Sequence, residues 1–179
     1  TDLIEEANEM AKEFGFSHVF VKKKGVYQGA ISQSFLEESP EGNLASLEIH
    51  YEKFAILDDG NLLDSIKLFY TFNSNIVPVI SKNEKYLGYL YCDDIFCEFS
   101  KYPLFSESGA ILTIQTNGTH YSMIEICKIV ESNNGKVYGC FINLIGDDFI
   151  QITLKISTEN PSSIDETFER YGYTVVQKY

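Results

Sequence analysis

The chain reads as an α/β protein of the α+β kind, and three features of the sequence predict this. A strand, turn, strand and helix pattern occurs twice in the first two thirds, a βαββαβ order follows, and the last hairpin alternates strictly between apolar and polar residues. The downstream copy is the clearer one. Asn75-Ile76-Val77-Pro78-Val79-Ile80 forms an apolar strand, residues 81–85 a polar turn, and Tyr86-Leu87-Gly88-Tyr89-Leu90-Tyr91 a second strand before a helix opening at Cys92-Asp93-Asp94-Ile95. Upstream, Ser17-His18-Val19-Phe20-Val21, a turn at residues 22–25 and Tyr27-Gln28-Gly29-Ala30-Ile31-Ser32-Gln33-Ser34-Phe35-Leu36 run through the same features. Gly29 matches Gly88, and Leu3-Ile4 ahead of the first copy matches Leu62-Leu63 ahead of the second. The first two thirds is therefore an internal duplication.

In chain order, Thr1 is a good N-cap, Leu3, Ile4, Ala7, Met10, Ala11 and Phe14 recur at helical spacing, and Gly15 supplies the stop. Residues 19–21 and 26–31 are two short strands around a Lys/Gly turn, and residues 32–36 open a helix that runs into Pro40 and Gly42. Residues 37–53, with Pro40, Gly42 and several acids, read as a helix end and a connection before the short strand Phe54-Ala55-Ile56. The boundary between the copies falls near residue 44, giving motifs over 1–44 and 45–105. Asn61 caps a helix whose Leu62, Leu63, Ile66, Phe69 and Tyr70 share one face, and the second copy closes with a helix over residues 92–99.

Residues 101–109 read as a linker, and a separate domain occupies 109–179. It starts with a β-branched strand at residues 110–116. Ser122-Met123-Ile124-Glu125 is a capping box opening a helix that ends at Asn133-Asn134-Gly135. Residues 137–144 and 149–156 flank the turn Gly146-Asp147-Asp148, and Ile150, Ile152, Leu154 and Ile156 alternate with polar partners, which defines a hairpin with one buried face. Pro161 suits the first turn of a helix carrying Ile164, Phe168 and Tyr171, closed by Gly172 before a strand at residues 173–176.

Composition narrows the function. With 179 residues and 44% apolar content the chain folds. Acids outnumber bases 26 to 14, which repels a phosphate backbone, and Lys22-Lys23-Lys24 is too short a run to overcome that field, so nucleic acid is not expected as a partner. No apolar run approaches the roughly 20 residues of a membrane helix, so no membrane partner is expected and the reading is a cytoplasmic protein. Cys92, Cys97, Cys127 and Cys140 show no metal-ligand spacing and sit in apolar patterns, which predicts reduced, structural thiols. The chain opens inside a helix pattern without a methionine, which points to residues before Thr1. Phosphate-loop, serine-elbow and zinc-helix signatures do not occur, and no acid pair is framed by a base; the reading is a non-enzyme with no metal.

The duplicated pattern resembles the cystathionine-β-synthase (CBS) domain, on the strand Val77-Pro78-Val79, the glycine of the second strand and the helix start after it. That resemblance implies a tandem pair that binds adenosyl ligands in the cleft between its copies. A unit of that family carries a strand before its first helix, which this sequence lacks. The βαββαβ order from Gly109 to Tyr179 is the ferredoxin-like split arrangement, and after a CBS pair it resembles the ACT domain, a regulatory module binding amino acids or other small ligands. Together the two look like the bacterial acetoin-utilisation-type CBS proteins. Both resemblances imply a homodimer with a small-molecule effector, and the load of 12 Tyr and 13 Phe suits a buried interface.

The family pattern implies a Ser or Thr three places after the second-strand glycine, touching phosphate, and an Asp six places after it, accepting from ribose hydroxyls. The first copy offers Ser32 but has Phe35 at the Asp place. The second offers Asp94 but has Tyr91 at the Ser/Thr place. Each half keeps part of the pattern. His18 and Val77 join Ser32, Asp94 and Tyr91 as expected ligand neighbours, for AMP, ATP or S-adenosylmethionine as a regulatory ligand with no cofactor required. In the ACT-like domain the loop with Asn117 and Gly118, running to His120, is where an anionic ligand would meet free amides. Simpler structural roles stand beside these: Ser32 as an N-cap, Asp94 as a first-turn acid, residues 22–24 as a solvated turn, and His18, His50 and His120 as structural histidines. The rival reading is an interaction scaffold whose clefts Phe35 and Tyr91 fill.

Overall fold

The computed structural model describes residues 3–39, 41–118, 121–159 and 161–179, so Thr1, Pro40, Thr119 and His120 lie outside the described residues. The chain divides into two compact units, Thr1–Glu98 and Phe99–Tyr179. The mixed α/β class read from the sequence is the observed one. No helix among the described residues is long and apolar enough to cross a membrane.

In the first unit, α1 (Ile4–Phe14) starts after Leu3, whose side chain supplies no cap bond, and ends at Gly15 in the left-handed conformation, φ 65°. Ile4, Ala7 and Ala11 are buried at one-face spacing and pack with Val19, Ile31, Leu36 and Leu44. Strands β1 (His18–Lys23) and β2 (Val26–Ser32) pair antiparallel. Ser32 then caps α2 (Gln33–Glu38) by accepting from the Phe35 amide, 3.3 Å. The reading of residues 37–53 as plain connection is corrected: Leu44–His50 is a 3₁₀ helix. Asn43 caps it through the Ser46 amide, 3.2 Å, a signal that Pro40 and Gly42 obscured. The expected strand at residues 54–56 is reduced to β3 (Ile56–Leu57), while Glu52 bridges Ala30 by two 2.8 Å backbone bonds.

The second copy follows with α3 (Leu62–Thr71), β4 (Ile76–Ile80), β5 (Tyr86–Tyr91) and α4 (Cys92–Phe99). Strand β4 pairs parallel with β3 and antiparallel with β5. Asn61 caps α3 through the Leu63 amide, 2.9 Å. The apolar face read for α3 is corrected. Phe69 is buried, yet Leu63, Ile66 and Tyr70 are 57%, 45% and 89% exposed, and Ser65 takes the core position instead. Ser65 can do so because its hydroxyl donates to Leu62 O within its own helix, 2.5 Å.

The matched glycines do different work. At Gly29, φ is 150° and an added Cβ would lie 2.7 Å from Tyr51 Cβ, whereas Gly88 has open space around it. We expect Gly29→Ala to destabilise by about 1–3 kcal/mol and Gly88→Ala to be nearly silent; paired urea titrations decide, and equal costs would contradict the register.

The second unit holds β6 (Ala110–Asn117), α6 (Met123–Ser132), β7 (Lys136–Ile145), β8 (Phe149–Ser157), α7 (Pro161–Arg170) and β9 (Thr174–Lys178), with strand order β7-β8-β6-β9, all pairs antiparallel. The alternation predicted for β8 is observed residue by residue: Ile150, Ile152, Leu154 and Ile156 are buried with Ile126, Ile129 and Val130 of α6 and Ile164 and Phe168 of α7. Both helices therefore cover one face. The linker is corrected to contain a short helix, α5 (Pro103–Ser106), whose Leu104 approaches Gly139 so closely that a Cβ there would meet it at 2.8 Å. The left-handed residue after α6 is Asn134, φ 59°, rather than Gly135. The capping box is also rerouted: Ser122 accepts from the Glu125 amide at 3.3 Å, but Glu125 accepts from the buried Tyr173 hydroxyl at 2.8 Å, and that hydroxyl accepts from the Ser122 amide at 3.4 Å. All four cysteines are free, and Cys97 and Cys140 are exposed rather than buried as expected.

Candidate functional site

The two copies in the first unit meet at residues 58 positions apart. Ser17, just before β1, donates its amide to Asn75 Oδ1 at 2.9 Å. Asn75, just before β4, donates its amide to Ser17 Oγ at 2.9 Å. The outgoing carbonyls repeat the symmetry: Ser17 O accepts from the Gln33 amide at 2.8 Å and Asn75 O from the Cys92 amide at 2.9 Å. Each copy thus supplies the same strand-entry position and the same helix-start amide. This reciprocal clasp, with Asn75 Nδ2 donating to Gly15 O at 2.7 Å, joins the two halves.

A recess of about 440 Å³ opens there, lined by polar groups of both copies, among them Ser17, Gln33, Asn73, Ser74 and Asn75. A ligand in it would contact both strand entries at once. A wider depression, about 700 Å³, lies along Met123, Ile124, Cys127, Lys128, Glu131 and Ser132. All six come from α6, so it lacks an opposing wall and is a poorer candidate.

His18 stands beside the clasp, 3% exposed. Its Nδ1 lies 2.9 Å from Ser17 Oγ, which is 3.2 Å from Ser74 Oγ. Ser74 uses its one hydroxyl hydrogen on Ile76 O, 2.6 Å. The imidazole tautomer decides which of Ser17 Oγ and His18 Nδ1 donates to the other. His18 Nε2 is buried and without a hydrogen-bond partner among the described residues, 3.7 Å from Glu52 Oε2. Burial lowers the His18 pKa to about 4 and raises that of Glu52. At neutral pH this contact is therefore not an ion pair.

The remaining expected site residues are distributed as follows. Tyr91 is half-buried, its hydroxyl accepts from Asn75 Nδ2 at 3.3 Å, and its ring lies 6.4 Å from that of Phe16. Ser32 is the cap of α2, next to recess-lining Gln33. Phe35 packs against His50 in a tilted ring contact, centroids 4.7 Å apart. Asp94 is exposed in the first turn of α4 and does not line the recess. Val77 is fully buried, so it forms core behind the site. Asn117 is exposed at the end of β6, and the Gly118 amide, read from the sequence as free, donates to Asp148 O at 3.2 Å. The structure thus brings Tyr91, His18 and the residue beside Ser32 to one junction, and leaves Asp94, Val77, Asn117 and Gly118 off it. The sequence reasoning missed Ser17 and Asn75, although their equivalent places ahead of the repeated strands were a usable signal. Among the described residues no cluster of three or more His, Cys, Asp or Glu could hold a metal ion.

No protein-family model and no curated protein sequence matches the chain. Among solved structures it is similar to a CBS domain pair/ACT domain protein from Thermotoga maritima, at 16% identity over 55% of this chain and 83% of that one, TM-score 0.47. It is also similar to the CBS domains of a transcriptional regulator from Streptococcus pneumoniae, at 17% identity over 54% and 82%, TM-score 0.47. A third similar structure is a CBS domain pair in complex with 5′-methylthioadenosine and S-adenosyl-L-methionine, at 18% identity over 56% and 83%, TM-score 0.44.

Proposed function

We propose that the chain is a non-enzymatic regulatory module, a CBS-like pair with an ACT-like C-terminal domain, acting as a cytoplasmic homodimer. Its small ligand is an adenosyl compound such as AMP, ATP or S-adenosylmethionine at the junction of the repeated halves, or an amino acid at the loop after β6. The observation that carries this reading is the reciprocal Ser17–Asn75 clasp beside a polar recess shared by both copies. A ligand touching both strand entries shifts the relative orientation of the copies by its differential affinity for the two arrangements. The family pattern gives Asp94, exposed in the first turn of α4 and outside the lining of the recess, the role of ribose-hydroxyl acceptor.

A second reading is favoured by the aromatic contacts. Phe35 packs against His50 and Tyr91 against Phe16, and the family resemblance puts ribose and phosphate groups at the places of Phe35 and Tyr91, as expected of a scaffold that binds nothing there.

Thermal unfolding with adenine nucleotides, S-adenosylmethionine and amino acids separates the two. A ligand at about a hundred times its Kd adds about 2.7 kcal/mol, which moves the midpoint by several degrees. The sensor reading expects such a shift with an adenosyl compound and its loss in Asp94→Ala. A shift with amino acids alone assigns sensing to the C-terminal domain, and no shift with any of them supports the scaffold. Sedimentation of the intact protein checks the dimer.

A further inference from the structure

The run Lys22-Lys23-Lys24 plays no part in the junction, and the fold gives it company. Of the 14 basic residues set against 26 acidic ones, five sit at two hairpin ends: Lys22 and Lys23 at the end of β1 with Lys24 in the β1–β2 turn, and Lys82 and Lys85 between β4 and β5. These turns are tied together. Val26 bridges Lys85, with the Tyr27 amide donating to Glu84 O at 2.8 Å and the Tyr86 amide donating to Gly25 O at 2.9 Å. Lys22 Nζ rests over the Tyr86 ring, 5.4 Å from its centroid. A cation run of three lysines in the sequence therefore becomes a group of five in space.

The acids of this region neutralise little of it. Asp59 pairs with Lys82 at 2.7 Å, and Glu84 lies exposed in the second turn. Lys22, Lys23, Lys24 and Lys85 form no ion pair among the described residues. The first turn also holds a lysine where its backbone is disfavoured. Lys24 and Gly25 have φ of 52° and 81°, the two left-handed positions of a tight hairpin turn that Asn and Gly fill at lower cost.

We propose that the joined turns are a docking surface for an acidic segment of a partner protein. The lysines are exposed point charges spread over two turns, with no enclosed fork for one small anion, so they hold charge in aggregate and over a length. The chain's net charge of −12 decides against extended polyanions. A nucleic acid rod or an anionic bilayer would bring its charge within a Debye length, about 8 Å at physiological salt, of the surrounding acids as well. A short acidic peptide meets only the patch.

The test is fluorescence anisotropy of a labelled peptide of about four glutamates, which extends no further than about 14 Å, with the full chain at about 20 mM and about 150 mM salt. Saturable binding that weakens at the higher salt is expected. The double change Lys23→Glu with Lys24→Glu should lower affinity at least about tenfold. Lys24→Gly relieves the left-handed strain, so it should weaken binding while the melting temperature stays level or rises, which separates lost charge from lost fold. Absence of saturable peptide binding, affinity unchanged by the charge reversals, or tighter binding to a single-stranded oligonucleotide or a phosphatidylserine vesicle would overturn the proposal.

Discussion

Replacing Phe168 with alanine should lower the melting transition of the C-terminal unit by on the order of 20 °C. The side chain is fully buried, and its ring meets Tyr173 edge to face with centroids 5.7 Å apart. It packs with Ile126, Ile152 and Ile164 between both helices and the sheet. A Phe→Ala change at such a site costs about 3–5 kcal/mol, as transfer energy plus an unfilled cavity. In a domain of this size each kcal/mol moves the midpoint by about 4–8 °C. The loss spreads beyond the cavity, because Tyr173 also holds the start of α6 through Glu125 and the Ser122 amide. Calorimetry of wild type and Phe168→Ala measures it; Phe168→Leu should recover most of the difference, and a shift of only a few degrees for the alanine variant would contradict the packing described.

The second large effect is acid lability centred on His18. Its folded pKa is about 4 because burial disfavours the imidazolium, and the unfolded value is near 6.5. Between these values the unfolded chain binds a proton that the folded chain refuses. Stability from this group is therefore present above about pH 6.5, falls as the pH drops, and stops falling near pH 4. From pH 7 to pH 5 the loss is about 2 kcal/mol. Glu52 acts in the opposite sense, since burial raises its pKa and its protonation favours the folded state as the pH falls. The measured loss should therefore lie somewhat below that figure. Urea midpoints at pH 7 and pH 5 for wild type and His18→Gln isolate the histidine. The glutamine variant should lose clearly less stability between the two pH values, and equal losses would show that His18 is not the group responsible.

Much of the fold was legible where one element carried its own signal. The alternation from Ile150 to Ile156 announced the buried face of β8, Asn61 and Ser122 announced their helices, and the glycine-matched hairpins announced the duplication. The misreadings share a cause. Leu44–His50 is a short 3₁₀ helix whose residues lack a 3.6-residue stripe. The apolar residues of α3 have helical spacing, but packing chose Ser65 and Phe69 over Leu63 and Ile66. At the candidate site, local pattern located Tyr91 and His18, whereas the hydrogen bonds between Ser17 and Asn75 and the meeting of the two lysine-bearing turns depend on chain segments about 60 residues apart. No local spacing encodes such pairs.

A small ligand bound where the two copies clasp each other is reported directly by the amides of Ser17 and Asn75. Two-dimensional ¹⁵N NMR of the intact chain during titration with AMP, ATP and S-adenosylmethionine is the decisive measurement. At least one of these compounds should move the Ser17 and Asn75 amide signals saturably and more than those of β7 and β8. Spectra unchanged by all three, or shifts confined to residues away from the clasp, would rule out binding there.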